Sequence, residues 1–169
     1  GYLNPVLHCG MEPFCMNAPS AGRDGIILPD LPLHDYESEY KSVFEKYNLH
    51  FIFLVTPETS EARRRQMDAI SSGFIYAVSS SSITGVEKDI SAQEDYFKKL
   101  KKMNLKNPVM VGFGIKDRDT FSRACKHTAG AIIGTAYIKT IEKSVNIDKD
   151  TERFIKSILN QYAVAKSKS

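Results

Sequence analysis

The stretches VGFGIKD (111–117) and GAIIGTA (130–136) decide how this chain is read. Each is a short apolar run that ends at a glycine followed by a small or polar residue. The apolar residues are consecutive rather than alternating, the pattern of a strand buried on both faces of a parallel sheet. A glycine at the end of such a strand lets backbone N–H groups approach an anion without a Cβ in the way. Tight turns from strand to helix also use glycine for structural reasons alone. Two such turns on successive strands, ahead of a final helix, favour the phosphate reading.

Working outward, the same kind of run recurs as GIILP (25–29), HFIFLV (50–55), GFIYAVS (73–79), PVMVGFG (108–114) and GAIIG (130–134). The segments between them have helical period. Over 34–48, Tyr36, Tyr40, Val43, Phe44 and Tyr47 share a face. Over 60–71, Ser60 can cap the start ahead of Ala62, Gln66, Met67 and Ile70. Over 91–105, Ser91 with Glu94 forms a capping box, and Tyr96, Phe97, Leu100 and Met103 form the stripe. Phe121, Ala124 and Cys125 do the same over 117–127, and Phe154, Ile155, Ile158, Leu159 and Tyr162 over 150–165. A shorter helix covers 11–18 with Pro13 in its first turn. Pro19 stops it early.

Repeated βα units with right-handed crossovers fit two architectures, an open doubly wound sheet and a closed (β/α)₈ barrel. The paired glycine turns favour the barrel, where a phosphate is often held after the seventh and eighth strands with the N-terminus of a short extra helix.

Composition narrows the function classes. The chain has 169 residues, enough for one domain with a real core. The net charge is only +3, and the lysines of 98–106 and 166–169 are not interleaved with aromatics, which argues against nucleic acid. Three cysteines, Cys9, Cys15 and Cys125, form no CxxC pair and read as reduced thiols. No apolar run reaches membrane-spanning length, and GYLNPVLHCG does not read as a signal peptide, so the expected location is the cytoplasm. His8, His34, His50 and His127 share no ligand spacing and read as surface or loop residues; no metal site is expected. The run 63–65 reads as a solvated helix face rather than a second phosphate patch.

Some residues keep two readings. Asp30 ends a strand on the side where barrels carry function, or it caps the helix over 34–48. Tyr76 alternates with Phe74 and Val78 and serves either the site or the core. Thr84 and Gly85 form either a functional loop or only a turn, in a serine-rich segment SSSSITG (79–85) that suits a flexible loop.

The stretches YLNPVL (2–7), GRDGIILPDLP (22–32), FLVTPETSEAR (53–63), GFIYAVSSSSITG (73–85), VGFGIKD and GAIIGTAYIK (130–139) resemble, in order and spacing, the alpha chain of tryptophan synthase. The resemblance runs over residues 1 to about 144; beyond that only a terminal amphipathic helix corresponds. It implies a (β/α)₈ barrel of the TIM type, a single domain over 1–169, which cleaves indole-3-glycerol phosphate to indole and glyceraldehyde 3-phosphate by a retro-aldol step. It implies no cofactor in this chain. Pyridoxal phosphate belongs to the beta chain, the implied partner.

By the same resemblance Gly85, Gly114, Gly134 and Thr135 would hold the substrate phosphate, with Thr135 where serine is more usual. Tyr2, Leu28, Pro29, Tyr76 and Phe113 would line the indole pocket. Thr84 would close over the site. Asn4, Asp30 and Pro32 would face the beta chain, and Asp30 would signal occupancy across that face.

The family's general acid/base glutamate, on its second strand, and the aspartate that holds the indole N–H have no counterpart in this sequence. Its first residues correspond to the end of the third strand, so roughly the first two to three βα units of a barrel are not represented. Glu12 reads as a solvent-facing helix residue. Asp30 and Tyr76 are the weak candidates left for proton chemistry. The expectation is an alpha-chain-like lyase sequence that is slow or inactive by itself. Two alternatives stand beside it: a non-catalytic phosphate-binding fragment that self-associates through open strand edges, and a different sugar-phosphate lyase or isomerase barrel.

Overall fold

A computed structural model of the chain describes residues 1–78, 90–112 and 114–159, for 90–92 the backbone only. The chain divides into two compact units. One comprises Gly1–Ala77 with Asn104–Val109, the other Val78–Met103 with Met110–Ser169.

In the first unit, consecutive apolar residues form parallel strands. β1 (Gly25–Ile26) pairs with β2 (His50–Phe51), Gly25 opposite His50 and Ile26 opposite Phe51. β3 (Leu54–Val55) pairs with β4 (Ile75–Val78), Leu54 opposite Tyr76 and Val55 opposite Ala77. The run 50–55, expected as one strand, changes partner half way. The Ile52 N–H donates to the Ile26 carbonyl at 3.0 Å, and the Phe53 carbonyl accepts from the Tyr76 N–H at 2.9 Å. Staggered neighbours of this kind are what strand tilt in a barrel imposes.

Four helical segments cover these strands. α1 (Leu3–Cys9), with Pro5 in its first turn, is a helix that the sequence analysis does not predict. α2 (Met11–Asn17) has the expected bounds to within a residue, and Pro19 starts a 3₁₀ turn after it. The helix expected over 34–48 is interrupted: α3 (Leu33–Asp35) runs into a π-helical turn (Tyr36–Tyr40) and then α4 (Lys41–Lys46). α5 (Glu61–Ile70) is capped by Ser60, whose side chain accepts from the Arg63 N–H. The core is aromatic. Tyr36 stacks on Phe51 with centroids 4.3 Å apart, and Phe44 and Phe53 meet Phe51 edge-on. Such pairs add to the burial of large rings.

In the second unit, β5 (Val109–Gly112) pairs in parallel with β6 (Gly130–Ala131). α6 spans Ile90–Lys102, and the Ser91 side chain of the expected Ser91–Glu94 box lies outside the described residues. Glu94 lies within 3.5–3.7 Å of His127, Lys98 and Lys126. α7 (Arg118–Cys125) is closed by Asp117 and Thr120 in a reciprocal capping box. α8 (Thr135–Ile141) and α9 (Ile147–Leu159) follow. Of the stripe expected on α9, Ile158 is buried and Phe154 packs on Tyr137, while Ile155 and Leu159 are exposed. Tyr162 lies outside the described residues.

Candidate active site

The two glycine turns lie on neighbouring strands. β5 and β6 run parallel with Val111 opposite Ala131, and the Ile132 N–H donates to the Val111 carbonyl at 2.7 Å. Gly114 and Gly134 each stand three residues beyond that pair, so both turns leave the same strand ends. Gly114 has φ +71°, a left-handed conformation that favours glycine. Gly134 has φ −102°, and among the described residues a Cβ built on it would meet nothing within 4 Å. The fold therefore does not demand a glycine at 134, and the space beside its backbone is open.

Thr135 begins α8 and is exposed, with Gly134 at the N-cap and no side chain capping the helix start. The ends of α5 and α7 are by contrast satisfied by Ser60 and Asp117. First-turn N–H groups have no intrahelical acceptor, so those of α8 are available to an anion. Gly85, Thr84 and Phe113 lie outside the described residues.

The first unit holds the other site residues. Leu28 is buried, and Pro29 and Asp30 after it are exposed. Both oxygens of the Asp30 carboxylate accept the Leu3 N–H, at 2.9 Å each. This bond draws the start of α1 to the loop after β1, so Tyr2 (72% exposed) and Asn4 are neighbours of Asp30. Asp30 thus caps a helix, and the helix is α1 rather than the one over 34–48. Pro32 is the exposed N-cap of α3. Tyr76 is half-buried on β4, and burial pushes its phenol up from the usual range, which keeps it protonated.

Three features escaped the sequence reading. Arg64 is not part of a solvated face. It is 6% exposed, and its Nη2 donates at 3.0 Å to the carbonyls of Thr56 and Pro57, fastening the loop after β3. Asp68 on α5 is buried and accepts the N–H groups of Lys106 and Asn107. The Asp117–Thr120 box was present as a D-x-x-T spacing. Among the described residues, no group of three or more His, Cys, Asp or Glu could hold a metal ion, and no helix is long and apolar enough to cross a membrane.

Parallel βα units with glycine turns at shared strand ends fit the class of (β/α)₈-barrel proteins. Solved structures agree. The tryptophan synthase alpha subunit of the hyperthermophile Pyrococcus furiosus matches with a TM-score of 0.78 at 26% identity, over 94% of this chain and 64% of that one. A chain in the crystal structure of the tryptophan synthase complex of the same organism also matches at 0.78, with 27% identity. The profile of the tryptophan synthase alpha chain family matches residues 1–167, beyond the 144 or so carried by the motifs. This chain belongs to that family. The tryptophan synthase alpha chain of Bacteroides thetaiotaomicron is 48% identical over 156 residues, 92% of this chain and 59% of the relative. That of Flavobacterium johnsoniae is 50% identical over 145 residues, 85% and 57%. The chain therefore spans about three fifths of the length of the relatives it matches.

Proposed function

We propose that this chain serves the retro-aldol cleavage of indole-3-glycerol phosphate to indole and glyceraldehyde 3-phosphate in tryptophan biosynthesis, in the cytoplasm and in complex with a beta chain. The observation that carries the reading is the β5–β6 register, with Gly114 and Gly134 at equal offsets on adjacent strands of a family member. In this reading Gly114, Gly134 and Thr135, with Gly85, hold the substrate phosphate through backbone N–H groups and one hydroxyl. Tyr2, Leu28, Pro29, Tyr76 and Phe113 wall the indole, and Thr84 closes over it. Asn4, Asp30 and Pro32 face the beta chain, which carries pyridoxal phosphate; the alpha reaction itself draws on no cofactor.

The cleavage needs C3 of the indole protonated and a glycerol hydroxyl deprotonated. A positioned carboxylate contributes about 10²–10⁴-fold to such transfers. No residue of this sequence matches the family's pair. Asp30 has both carboxylate oxygens on the Leu3 N–H, and burial disfavours the phenolate that Tyr76 would need to act as a base. These 169 residues are therefore expected to bind the substrate's phosphate and cleave it slowly.

The deciding experiment measures indole release from indole-3-glycerol phosphate, with and without a beta chain, beside binding of an indole-phosphate analogue. Binding without release above background is the expected result. Substantial release would overturn the assignment of the proton chemistry to residues this sequence does not contain. Binding of a plain sugar phosphate in preference to the indole analogue would point to another lyase or isomerase.

The non-catalytic alternative has one observation in its favour. Among the described residues β1 pairs only with β2, and β6 only with β5, which leaves strand edges for a second copy. A clean monomer in sedimentation would remove it.

A further inference from the structure

A cleft of about 390 Å³ lies wholly within the first unit, between the start of α3 with the π-helical turn and one face of α5. It lies at the small end of the ligand-pocket range, about 300–1,000 Å³. Leu33 and Ile70 line it with apolar surface, and His34 and Gln66 add hydrogen-bonding groups. Two residues of opposite charge also line it, Arg63 and Glu37.

These two charges do not meet. Neither side chain has an ion pair or hydrogen bond among the described residues, so their charged atoms are more than 4.0 Å apart. Their neighbours behave differently. Arg65 pairs with Glu61 at 2.7 Å, Lys41 with Glu45 at 3.9 Å, and Arg64 is spent on the carbonyls of Thr56 and Pro57. Glu37 also sits in the π-helical turn, a departure from regular helix that recurs at functional sites.

The charge pattern selects the ligand. A simple anion would be drawn to Arg63 and repelled by Glu37, and a simple cation the reverse. An uncharged apolar body would dehydrate two charges and satisfy neither. A molecule with one anionic and one cationic group on an apolar body answers all three features. We propose that this cleft binds a small zwitterion of that kind, the chemistry of a free α-amino acid with an apolar side chain. Its carboxylate pairs with Arg63, its ammonium with Glu37, and its side chain lies on Leu33 and Ile70.

The test is a titration of the protein with L-leucine and L-phenylalanine, followed by amide chemical shifts of 33–37 and 63–70. N-acetyl-leucine, without the cation, and leucinamide, without the anion, are the controls. Both controls are expected to bind at least about tenfold more weakly than leucine, the loss of roughly one charge-assisted contact. Arg63→Met is expected to erase the preference for leucine over leucinamide. Glu37→Gln is expected to erase the preference over N-acetyl-leucine. Both residues are on the surface, and unchanged circular dichroism verifies the fold. Failure of both amino acids to bind, equal binding of leucine and its two derivatives, or unaltered discrimination in both variants overturns the proposal.

Discussion

The carboxylate of Asp30 takes the backbone N–H of Leu3 on both of its oxygens, 2.9 Å each, across 27 positions of sequence. A residue in the loop after β1 thereby caps α1, a helix whose own N-cap residue, Tyr2, offers no side-chain bond. Loss of such a cap costs about 1 kcal/mol. Asp30→Ala is expected to lower the denaturant midpoint accordingly and to speed amide exchange through Leu3–Cys9. Asp30→Asn keeps an acceptor and should lose much less. If Asn4 and Asp30 face a beta chain as proposed, both variants also weaken that complex, read by titration with the partner.

Asp68 and Asn107 make a buried polar contact in the first unit. The Asp68 carboxylate accepts from the Asn107 N–H and side-chain amide, both at 2.9 Å, and from the Lys106 N–H at 2.7 Å. The Asn107 amide also donates to the carbonyls of Asp68 and Ser71. Both residues are buried, so removing one strands the other's groups away from water. Asp68→Ala and Asn107→Ala are each expected to destabilise by about 2–3 kcal/mol. The double variant should cost clearly less than the sum, because the second deletion removes the orphan left by the first. Additive losses in urea unfolding would show that the two residues do not act together.

Much of the fold was legible because parallel strands buried on both faces leave consecutive apolar residues, and because glycine marks turns that few other residues can make. What was hidden depends on partners distant in sequence. Asp68 carries no signal in the sequence, since the N–H groups that donate to its carboxylate stand 38 and 39 positions away. Arg64 read as one of three solvated arginines because its targets are backbone carbonyls, which carry no sequence signature. The change of partner within 50–55 is a tertiary event that no periodicity records. The π-helical turn at Tyr36–Tyr40 breaks the regular 3.6-residue period read over 34–48, which anticipates the burial of Tyr36 but not the turn itself. Of the site, the glycine turns and Asp30 were found by residue type and position, but the bond from Asp30 to Leu3 was not.

Asp117 supplies a pH prediction. Its carboxylate lies below the usual aspartate range because it accepts the Thr120 N–H and hydroxyl, with Lys116 and Arg123 adding smaller attractions. A group whose pKa is lower folded than unfolded stabilises the fold above its unfolded pKa, about 3.9. That contribution is lost as pH falls below the ordinary aspartate value toward the depressed one. Asp117→Asn should leave stability near pH 7 little changed, since asparagine also caps helices, and should flatten the acid limb of the stability curve. Thr120→Val breaks the reciprocal half of the box and should lower stability at neutral pH as well. An acid limb identical in the wild type and Asp117→Asn would assign the acid sensitivity to other carboxylates.

Gly114 and Gly134 look alike in sequence and should respond oppositely to the same substitution. At Gly114 the backbone has φ +71°, where an alanine Cβ is strained, so Gly114→Ala is expected to destabilise by about 1 kcal/mol or more whatever it does to binding. At Gly134 φ is negative and no atom of the described residues lies within 4 Å of where a Cβ would sit, so Gly134→Ala should leave the unfolding midpoint almost unchanged. If that space receives the substrate phosphate, the same methyl group obstructs it. Gly134→Ala is then expected to weaken binding of an indole-phosphate analogue by about tenfold or more, the loss of about one charge-assisted hydrogen bond. The measurement pairs thermal or urea unfolding with analogue binding for both variants. A stable Gly134→Ala protein that binds the analogue as the wild type does would move the phosphate away from the start of α8, and with it the role given to Thr135.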